Sequence, residues 1–358
     1  MRAGRDPIRL RRSLADRLRS LLRSTWFRLA LVLASPVALF GVLQWREANL
    51  ESFARSFAHV NWSWALAAIA LNLVSAAAGS LAWDTVIKQA MAPPHPRYRH
   101  VLSAFSVGLL GNVVLPGRVG EIGRIAVLAR RLNGRRKGVW ATLVGTVVAY
   151  RLLDLLPSLA LIVAVIIVAP MPPWALRSLL FVAVIGAALL LLGFASARRH
   201  DRPLFKANGR LGHLATMARE GLGILRAPVP AATATLYQFA AWLGQLLAVF
   251  ATLQAFGIEL SLSAAALVLA LVNLAVLFPL WPGNVGLLQA AIALPLSAAY
   301  GVDYGRGIAF GVGMQAIEVS VGVSLGLLFL AREGLSIAAL RQSPAGETAA
   351  ERVDLGDG

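Results

Sequence analysis

Five charged residues stand at helical spacing inside or beside long apolar stretches of the sequence. Arg118, Glu121 and Arg124 follow one another at intervals of three residues, and Arg151 and Asp154 are also three apart. Residues three or four apart lie on one face of a helix, so each set presents its charges together. Guanidinium groups bind phosphate well, and neighbouring carboxylates balance their charge. The pattern therefore predicts a site for an anionic group.

Further polar residues stand in the same apolar surroundings and complete the candidate set. They are Asn72, Asn112, Asn273, Gln289, Gln315 and Glu318. A charged side chain at the centre of a bilayer costs about 2.5–3.5 kcal/mol on insertion scales, so such groups should pair and face the protein interior. For Arg151 and Asp154 a purely structural pair that joins two helices is the alternative reading.

Other kinds of chemistry find little support in the sequence. The chain has no Cys, which excludes disulfides, thiol nucleophiles and Cys-ligated metals. Its five His lie outside the apolar runs and show no metal-ligand spacing. We therefore expect no catalytic residue, no metal and no cofactor.

Two of the apolar stretches are interrupted by similar motifs. Leu-Pro-Gly-Arg-Val-Gly occupies 115–120 and Trp-Pro-Gly-Asn-Val-Gly occupies 281–286, so Pro-Gly-x-Val-Gly occurs once in each half of the chain. Lipid cannot satisfy the backbone groups that Pro and Gly release, and paired broken segments point to a transporter's substrate site. The alternative is a pair of Pro kinks without a ligand. The candidate residues in the motifs are Pro116, Gly117, Gly120, Pro282, Gly283, Asn284 and Gly286.

The composition indicates which solvent surrounds these elements. Of the 358 residues 58% are hydrophobic and 14% are charged, whereas soluble domains carry about 25% charged residues. Apolar runs long enough to cross a bilayer as helices span 26–44, 62–83, 139–169, 174–196, 231–256 and 306–331. We interpret 26–44 as a retained anchor rather than a cleaved signal peptide. Tryptophans at the ends of runs predict an interfacial belt: Trp26, Trp45, Trp62, Trp64, Trp83, Trp140 and Trp174.

The net charge of +17 is mostly an orientation signal. Most Lys and Arg fall in the segments 1–25, 84–100, 117–138 and 198–226, which the positive-inside rule places in the cytoplasm. Six spans then put both termini inside. None of these basic segments resembles a nucleic-acid recognition module, so we expect no nucleic-acid partner.

The two broken runs fit this topology as re-entrant hairpins. The run 101–116 has basic segments on both sides and is short for a span, so a hairpin turning at 116–117 is favoured. The run 262–299 forms either a second re-entrant pair or two complete spans. The predicted fold is thus an all-α, polytopic helical membrane protein with about six full spans plus two re-entrant pairs, or eight spans.

The predicted organisation is a basic segment at 1–25, one membrane domain at 26–331 whose halves meet at a cytoplasmic loop near 197–230, and a tail at 332–358. Within that loop, 201–226 reads equally well as an amphipathic helix on the membrane surface or as a solvated loop.

Three motifs together resemble a known family. The stretch N-V-V-L-P-G-R-V-G-E-I-G-R at 112–124 is similar to the N-x-x-L-P-x-R-x-G-E-x-x-R motif of the lysylphosphatidylglycerol synthase transmembrane region, or flippase-like, family. The sequence Y-R-L-L-D at 150–154 resembles its E-R-x-x-D element, and P-L-W-P-G-N-V-G-L-L-Q at 279–289 resembles its P-x-x-P-G-G-x-G-x-x-E element. The order is the same, and the resemblance covers about 26–331.

The resemblance implies a bacterial inner-membrane domain related to the flippase half of the multiple peptide resistance factor, which moves aminoacylated phosphatidylglycerol between leaflets. The matching motif residues are Asn112, Pro116, Arg118, Gly120, Glu121, Arg124, Arg151, Asp154, Pro282, Gly283 and Gly286. Tyr150 and Gln289 replace family carboxylates, and Asn284 replaces Gly. This loss is expected to weaken selection for a cationic headgroup. The tail at 332–358 is too short for the synthase's aminoacyl transferase domain.

We therefore expect a lipid flippase or transporter for a polar- or anionic-headgroup lipid, and not an enzyme. No nucleotide-binding loop occurs, so movement would be passive or driven by an ion or proton gradient through Glu121, Asp154 or Glu318. The alternatives are an integral-membrane lipid-linked transferase and a non-catalytic partner of a separately encoded lipid-modifying enzyme. The expected partners are a phospholipid or other amphipathic lipid, the membrane and that enzyme.

Overall fold

The computed structural model describes residues 50–114, 120–132, 139–198, 223–277 and 284–332. These ranges contain helices and no strand. The α-helices are α1 Leu50–Ala58, α2 Trp62–Ala90, α3 Tyr98–Val114, α4 Gly120–Arg131, α5 Val139–Val168, α6 Pro173–Arg198, α7 Pro228–Ala255, α8 Leu262–Val276, α9 Leu287–Tyr300 and α10 Tyr304–Arg332. A single 3-10 turn, Gly223–Arg226, precedes α7.

Five of these helices are long and apolar enough to cross a membrane: α2, α5, α6, α7 and α10. They coincide with the predicted runs 62–83, 139–169, 174–196, 231–256 and 306–331, so the described residues confirm the all-α class and place five candidate spans where the sequence predicts them. The sixth predicted span, 26–44, lies outside the described residues, as do the segment 1–25 and the tail from 333 onward. The number of spans and the side of the termini stay predictions.

The helix ends follow from local side-chain chemistry. Asn61 caps α2 by accepting hydrogen bonds from the backbone N–H groups of Ser63 and Trp64 at 3.1 and 3.4 Å. Gly301 ends α9 in the left-handed conformation with φ 67°, which glycine adopts without steric cost. Asp303 then accepts from the N–H of Arg306 at 2.9 Å in the first turn of α10.

The two broken runs form helical hairpins. Helices α3 and α4 flank the first break and have 17 and 12 residues, while α8 and α9 flank the second and have 15 and 14. The two helices of each hairpin pack against one another. All four are shorter than the roughly 20 residues that a bilayer core of about 30 Å requires. Short helices on both sides of each break agree with the predicted re-entrant hairpins. How deeply these hairpins lie in a membrane stays a prediction.

Helix α10 connects the two hairpins through its glycines. A Cβ on Gly307 would lie 3.1 Å from the Cα of Ala293 in α9, whereas one on Gly322 would lie 3.2 Å from Val113 in α3. Gly326 comes so close to α3 that a Cβ there would overlap Leu110. Small residues allow membrane helices to approach closely. Helix α10 therefore packs closely against both hairpins.

The remaining long helices form the body and the outside of the bundle. Helices α2 and α7 pack along their lengths, and a Cβ on Gly244 of α7 would meet Ser75 of α2 at 3.2 Å. Helix α6 lies at the periphery and leaves Phe181 and Leu191 exposed by 68% and 71%. Apolar side chains this exposed on a spanning helix are suited to contact lipid.

The tryptophans predicted for the interfacial belt fall into two groups. Trp62, Trp64, Trp140 and Trp174 are exposed near helix ends, as an interfacial belt requires, but Trp83 is fully buried, so its assignment to the belt was wrong. The Trp83 ring lies inside the bundle, against the guanidinium group of Arg124.

Helix α1, which the sequence did not predict, packs Phe57 edge-on against Phe256 with ring centroids 5.4 Å apart. The amphipathic segment at 201–226 lies outside the described residues up to 222, and its end is the 3-10 turn.

Candidate functional site

A cavity of about 350 Å³ lies among α2, α3, α4, α5, α7, α8 and α10. Four of these seven helices are long enough to span a membrane. Seven of the predicted residues line it, namely Asn112, Gly120, Glu121, Arg124, Arg151, Asp154 and Glu318. Asn72 and Asn273 line it as well. Most of the polar residues predicted for the site, but not Gln289 and Gln315, therefore line one cavity.

Arg151 is the centre of an ionic network on one wall of this cavity. Its Nε donates to Glu121 Oε1 at 2.7 Å, and its Nη2 pairs with the same oxygen. Its Nη1 donates to Asp154 Oδ2 at 3.3 Å, one turn along α5. Trp242 of α7 donates its indole N–H to the other Asp154 oxygen at 2.8 Å. The network joins α4, α5 and α7, and two carboxylates neutralise the one cation.

This network revises the predicted role of Arg151. The sequence reading placed it among the phosphate ligands, with a structural Arg151–Asp154 pair as the alternative. Both residues are on α5, so their mutual contact joins no helices. Glu121, thirty positions away, supplies the interhelical contact. Because Arg151 is half-buried and already paired twice, much of its charge is compensated before any ligand binds.

Arg124 has a different environment, although it stands one turn from Glu121 on α4. Its guanidinium carbon lies 4.7 Å from the ring centroid of Trp83, 5.0 Å from that of Tyr150 and 5.8 Å from that of Phe105. The side chain is 4% exposed, and its Nε and Nη2 have no hydrogen-bond partner among the described residues. Three π faces stabilise the cation but leave those N–H groups unsatisfied. Arg124 is therefore a buried cation, two of whose nitrogens lack an acceptor in the part of the chain that the structure describes.

Gly120 sets the distance between the two helices of the first hairpin. A Cβ at this position would overlap the carbonyl oxygen of Gly108 and lie 2.6 Å from both the backbone nitrogen and the Oδ1 of Asn112. A Cβ added to Gly111 would likewise lie only 2.7 Å from the Cα of Gly120. Only hydrogen fits there, so this motif glycine fixes where Glu121 and Arg124 stand.

Glu318 faces the cavity from α10 and is exposed there. It makes no ion pair or hydrogen bond to any other residue in the described ranges, in contrast to Glu121 and Asp154. Within the described ranges, the cavity thus holds paired charges on one wall and two charged side chains without an ion-pair partner elsewhere, Arg124 and Glu318.

The described residues of the second motif do not line the cavity. Gly286 adopts φ 91° at the start of α9 and donates its N–H to Gln289 Oε1 at 2.6 Å. The amide nitrogen of Gln289 donates to Gln315 Oε1 at 2.7 Å. Asn284 has φ 46° and donates to the carbonyl of Ala275 at 3.4 Å. These predicted site residues cap α9 and attach it to its neighbours.

Five predicted site residues lie outside the described ranges. They are Pro116, Gly117 and Arg118 in the first break and Pro282 and Gly283 in the second. Their predicted roles stay predictions.

Several lining residues escaped the sequence reading. Gln238 and Gln245 of α7 stand seven residues apart in an apolar run, a spacing that places both on one helix face and that could have identified them. Trp83, which packs against Arg124 and does not line the cavity, gave no such signal, because an aromatic residue near the end of a run also suits a membrane interface. Its indole N–H donates to Thr146 Oγ1 at 3.3 Å, which holds the ring beneath Arg124.

Comparison with known families agrees with this architecture. The family model described as lysylphosphatidylglycerol synthase TM region matches residues 25–340, which include both hairpins and the whole cavity. A comparison with curated proteins gave no match. The resemblance predicted from the three motifs is confirmed. With five helices of spanning length, the chain is a multi-pass membrane protein that belongs to the lysylphosphatidylglycerol synthase TM region family.

Proposed function

We propose that this protein is a transporter, not an enzyme, and that it moves a phospholipid between the leaflets of the bacterial inner membrane. The headgroup enters the cavity while the acyl chains stay in the surrounding lipid. The observation that carries the proposal is the charged cavity itself, four of whose seven lining helices are of membrane-spanning length.

Charge placement supports this proposal. Ionisable residues within membrane segments are costly, so they mark substrate or ion pathways by default. Charged residues that only stabilise the fold are expected to be paired with one another, as they are in the Arg151 network. The buried N–H groups of Arg124 have no acceptor among the described residues, and a phosphate oxygen is the acceptor that a guanidinium binds best. We assign the phosphate position to Arg124, with Arg118 as a second proposed contact.

The paired residues have a supporting role in the proposed mechanism. Glu121 and Asp154 neutralise Arg151, which keeps the cavity from trapping an anionic headgroup too tightly. Transport requires a site that binds strongly enough to admit the headgroup and weakly enough to release it. The family description itself names a phospholipid, which favours a lipid cargo over a soluble one.

Movement of the lipid is passive or coupled to an ion or proton gradient through Glu121, Asp154 or Glu318, of which only Glu318 is without a partner among the described residues.

A separately encoded lipid-modifying enzyme is a further proposed partner, which co-purification from membranes would identify.

Transport can be tested with purified protein in liposomes that contain a fluorescent phospholipid in both leaflets. Dithionite bleaches only the outer-leaflet label in empty vesicles. We expect the protein to expose the inner-leaflet label as well, with no applied gradient or with a proton or sodium gradient. Rates equal to those of empty vesicles under all these conditions would contradict the proposal.

A further inference from the structure

An apolar cluster forms the wall of the cavity that lies towards helix α1. Leu269 and Val272 of α8 line the cavity and also belong to this cluster, together with Leu253, Phe256 and Phe310. Leu253 and Phe310 have no exposed surface, and Phe256 is 7% exposed. A ligand that moves from the cavity towards α1 must therefore displace buried apolar side chains.

Phe256 has a special position in this cluster, directly after the end of α7. Its ring lies where a Cβ on Gly313 of α10 would stand, so the two would overlap. Phe310 of α10 and Phe57 of α1 both meet this ring edge-on, with centroids 6.3 and 5.4 Å away. The ring thus closes the space between the end of α7 and the backbone of α10. Gly313 itself contributes only hydrogen to the space that the ring would vacate.

Polar contacts hold the chain at Phe256 in place. Nη2 of Arg306 donates to the carbonyl of Phe256 at 3.2 Å and to that of Gly257. The backbone N–H of Arg306 donates to Asp303 Oδ1 at 2.9 Å, and the hydroxyl of Ser52 in α1 donates to the same oxygen at 2.6 Å. Most of these contacts lie at the exposed end of the bundle. They are reversible, because water can satisfy the same groups when they separate.

The opposite end of the cavity is also closed by apolar side chains. Phe105 and Tyr150 line the cavity and belong to a second cluster, which includes the fully buried Leu143. The rings of Phe105 and Tyr150 contact the guanidinium group of Arg124, as described above. The cavity therefore lies between two apolar clusters, and alternating access to a central site requires that such closures open in turn.

We propose that Phe256 is a gate, closed here against Gly313, and that Arg306 is the latch that holds the gate shut. When Arg306 releases the carbonyls of Phe256 and Gly257, the ring leaves Gly313 and the cavity opens towards α1. Residues at the ends of helices commonly absorb such hinge motions, and Gly257 already adopts a positive φ of 63°. This inference rests on the proposed function only in treating the cavity as a transport path, and it concerns access rather than cargo.

A single introduced thiol can measure this access, because the sequence contains no cysteine. Asn273→Cys places the thiol on the cavity wall. A charged methanethiosulfonate reagent that does not cross lipid is added to one face of sealed membrane vesicles, and mass spectrometry of the full chain follows the modification. Ala58→Cys, exposed on α1, identifies the face on which α1 lies. Leu143→Cys, buried in the other cluster, reports general unfolding.

The gate and the latch predict faster modification of Asn273→Cys from the α1 face when either is removed. Phe256→Ala and Arg306→Gln should each raise the rate about ten- to a hundredfold, the change in open population that loss of hydrogen bonds to a charged group gives for the latch. Phe239→Ala and Arg177→Gln are the matched controls, since both residues are exposed on the outside of the bundle. They should leave the rate unchanged.

Gly313→Ala tests the contact between ring and glycine separately. The added methyl group takes the place of the ring, so this variant should also raise the modification rate. In a protein that already carries Phe256→Ala, the same methyl group meets no ring and should change the rate little. Equal effects of Gly313→Ala with and without the ring would contradict the proposed contact.

An unchanged rate in Phe256→Ala would overturn the gate, and an unchanged rate in Arg306→Gln would overturn the latch. A parallel rise at Leu143→Cys would show unfolding in place of gating and would overturn both. The outcome is separate from that of the transport assay. Lipid exchange with unchanged access contradicts only this inference, whereas gated access without lipid exchange contradicts only the proposed function.

Discussion

Replacement of Gly120 by alanine tests how the first hairpin positions the charged residues. An added Cβ would overlap the carbonyl oxygen of Gly108 and stand 2.6 Å from two atoms of Asn112. Backbone atoms cannot move aside as a flexible side chain can, so α3 and α4 must separate. Gly123 offers a matched control on the same helix, because a Cβ there meets nothing within 4 Å.

The two substitutions differ in helix propensity as well as in packing. Alanine is favoured over glycine in a helix interior by about 1 kcal/mol, a gain that applies to Gly123, whereas Gly120 is the first residue of α4 and gains less. Forcing an extra methyl group into a packed contact costs about 1–3 kcal/mol. Because the smaller propensity gain at Gly120 acts in the same direction as the packing cost, Gly120→Ala should be less stable than Gly123→Ala by at least about 1–3 kcal/mol.

Equilibrium unfolding in mixed detergent micelles, followed by circular dichroism, measures this difference. The hairpin also carries Glu121 and Arg124, so Gly120→Ala should slow lipid exchange in liposomes while Gly123→Ala leaves it unchanged. Equal stability of the two variants would refute the packing account of the hairpin.

Three further substitutions test the described contacts by the same unfolding measurement. Glu121→Gln and Arg151→Gln should each destabilise the protein, and the double variant should cost about 1–2 kcal/mol less than their sum; strict additivity would show that the two do not interact. Gly286→Ala should lose about 1–2 kcal/mol through backbone strain at φ 91°, although space for the methyl group exists. An unchanged stability would mean that this φ is not maintained. Trp242→Phe keeps an aromatic ring but removes the hydrogen bond to Asp154, at a cost of about 1–2 kcal/mol. A loss as small as that of an exposed substitution would refute the bond.

Much of the fold could be predicted because a bilayer restricts the solutions. Five helices of spanning length fall where the apolar runs fall, since every backbone group in lipid must be paired within its own helix. Pro and Gly at 116–117 and 282–283 predict breaks, and short helices lie on both sides of each. The cavity could be anticipated as well, because charged residues in apolar runs have few other places to go.

The roles of individual residues could be predicted less well, since they depend on packing between distant helices. Spacing paired Arg151 with Asp154 but could not reveal Glu121 as its stronger partner. The aromatic site of Arg124 combines residues from α2, α3 and α5, which no local pattern connects. The sequence placed Gln289 in the substrate site, yet its side chain caps α9 and forms a hydrogen bond with Gln315.

The central claim is that a lipid headgroup passes through the cavity and contacts Arg124. The direct measurement is the rate of phospholipid exchange in liposomes for Arg124→Gln beside Arg177→Gln, a control at an exposed arginine of α6. Loss of hydrogen bonds to a charged group predicts that Arg124→Gln slows exchange about ten- to a hundredfold, while Arg177→Gln exchanges lipid at the wild-type rate. If a folded Arg124→Gln protein also exchanges lipid at the wild-type rate, the headgroup does not use this cavity and the account is contradicted.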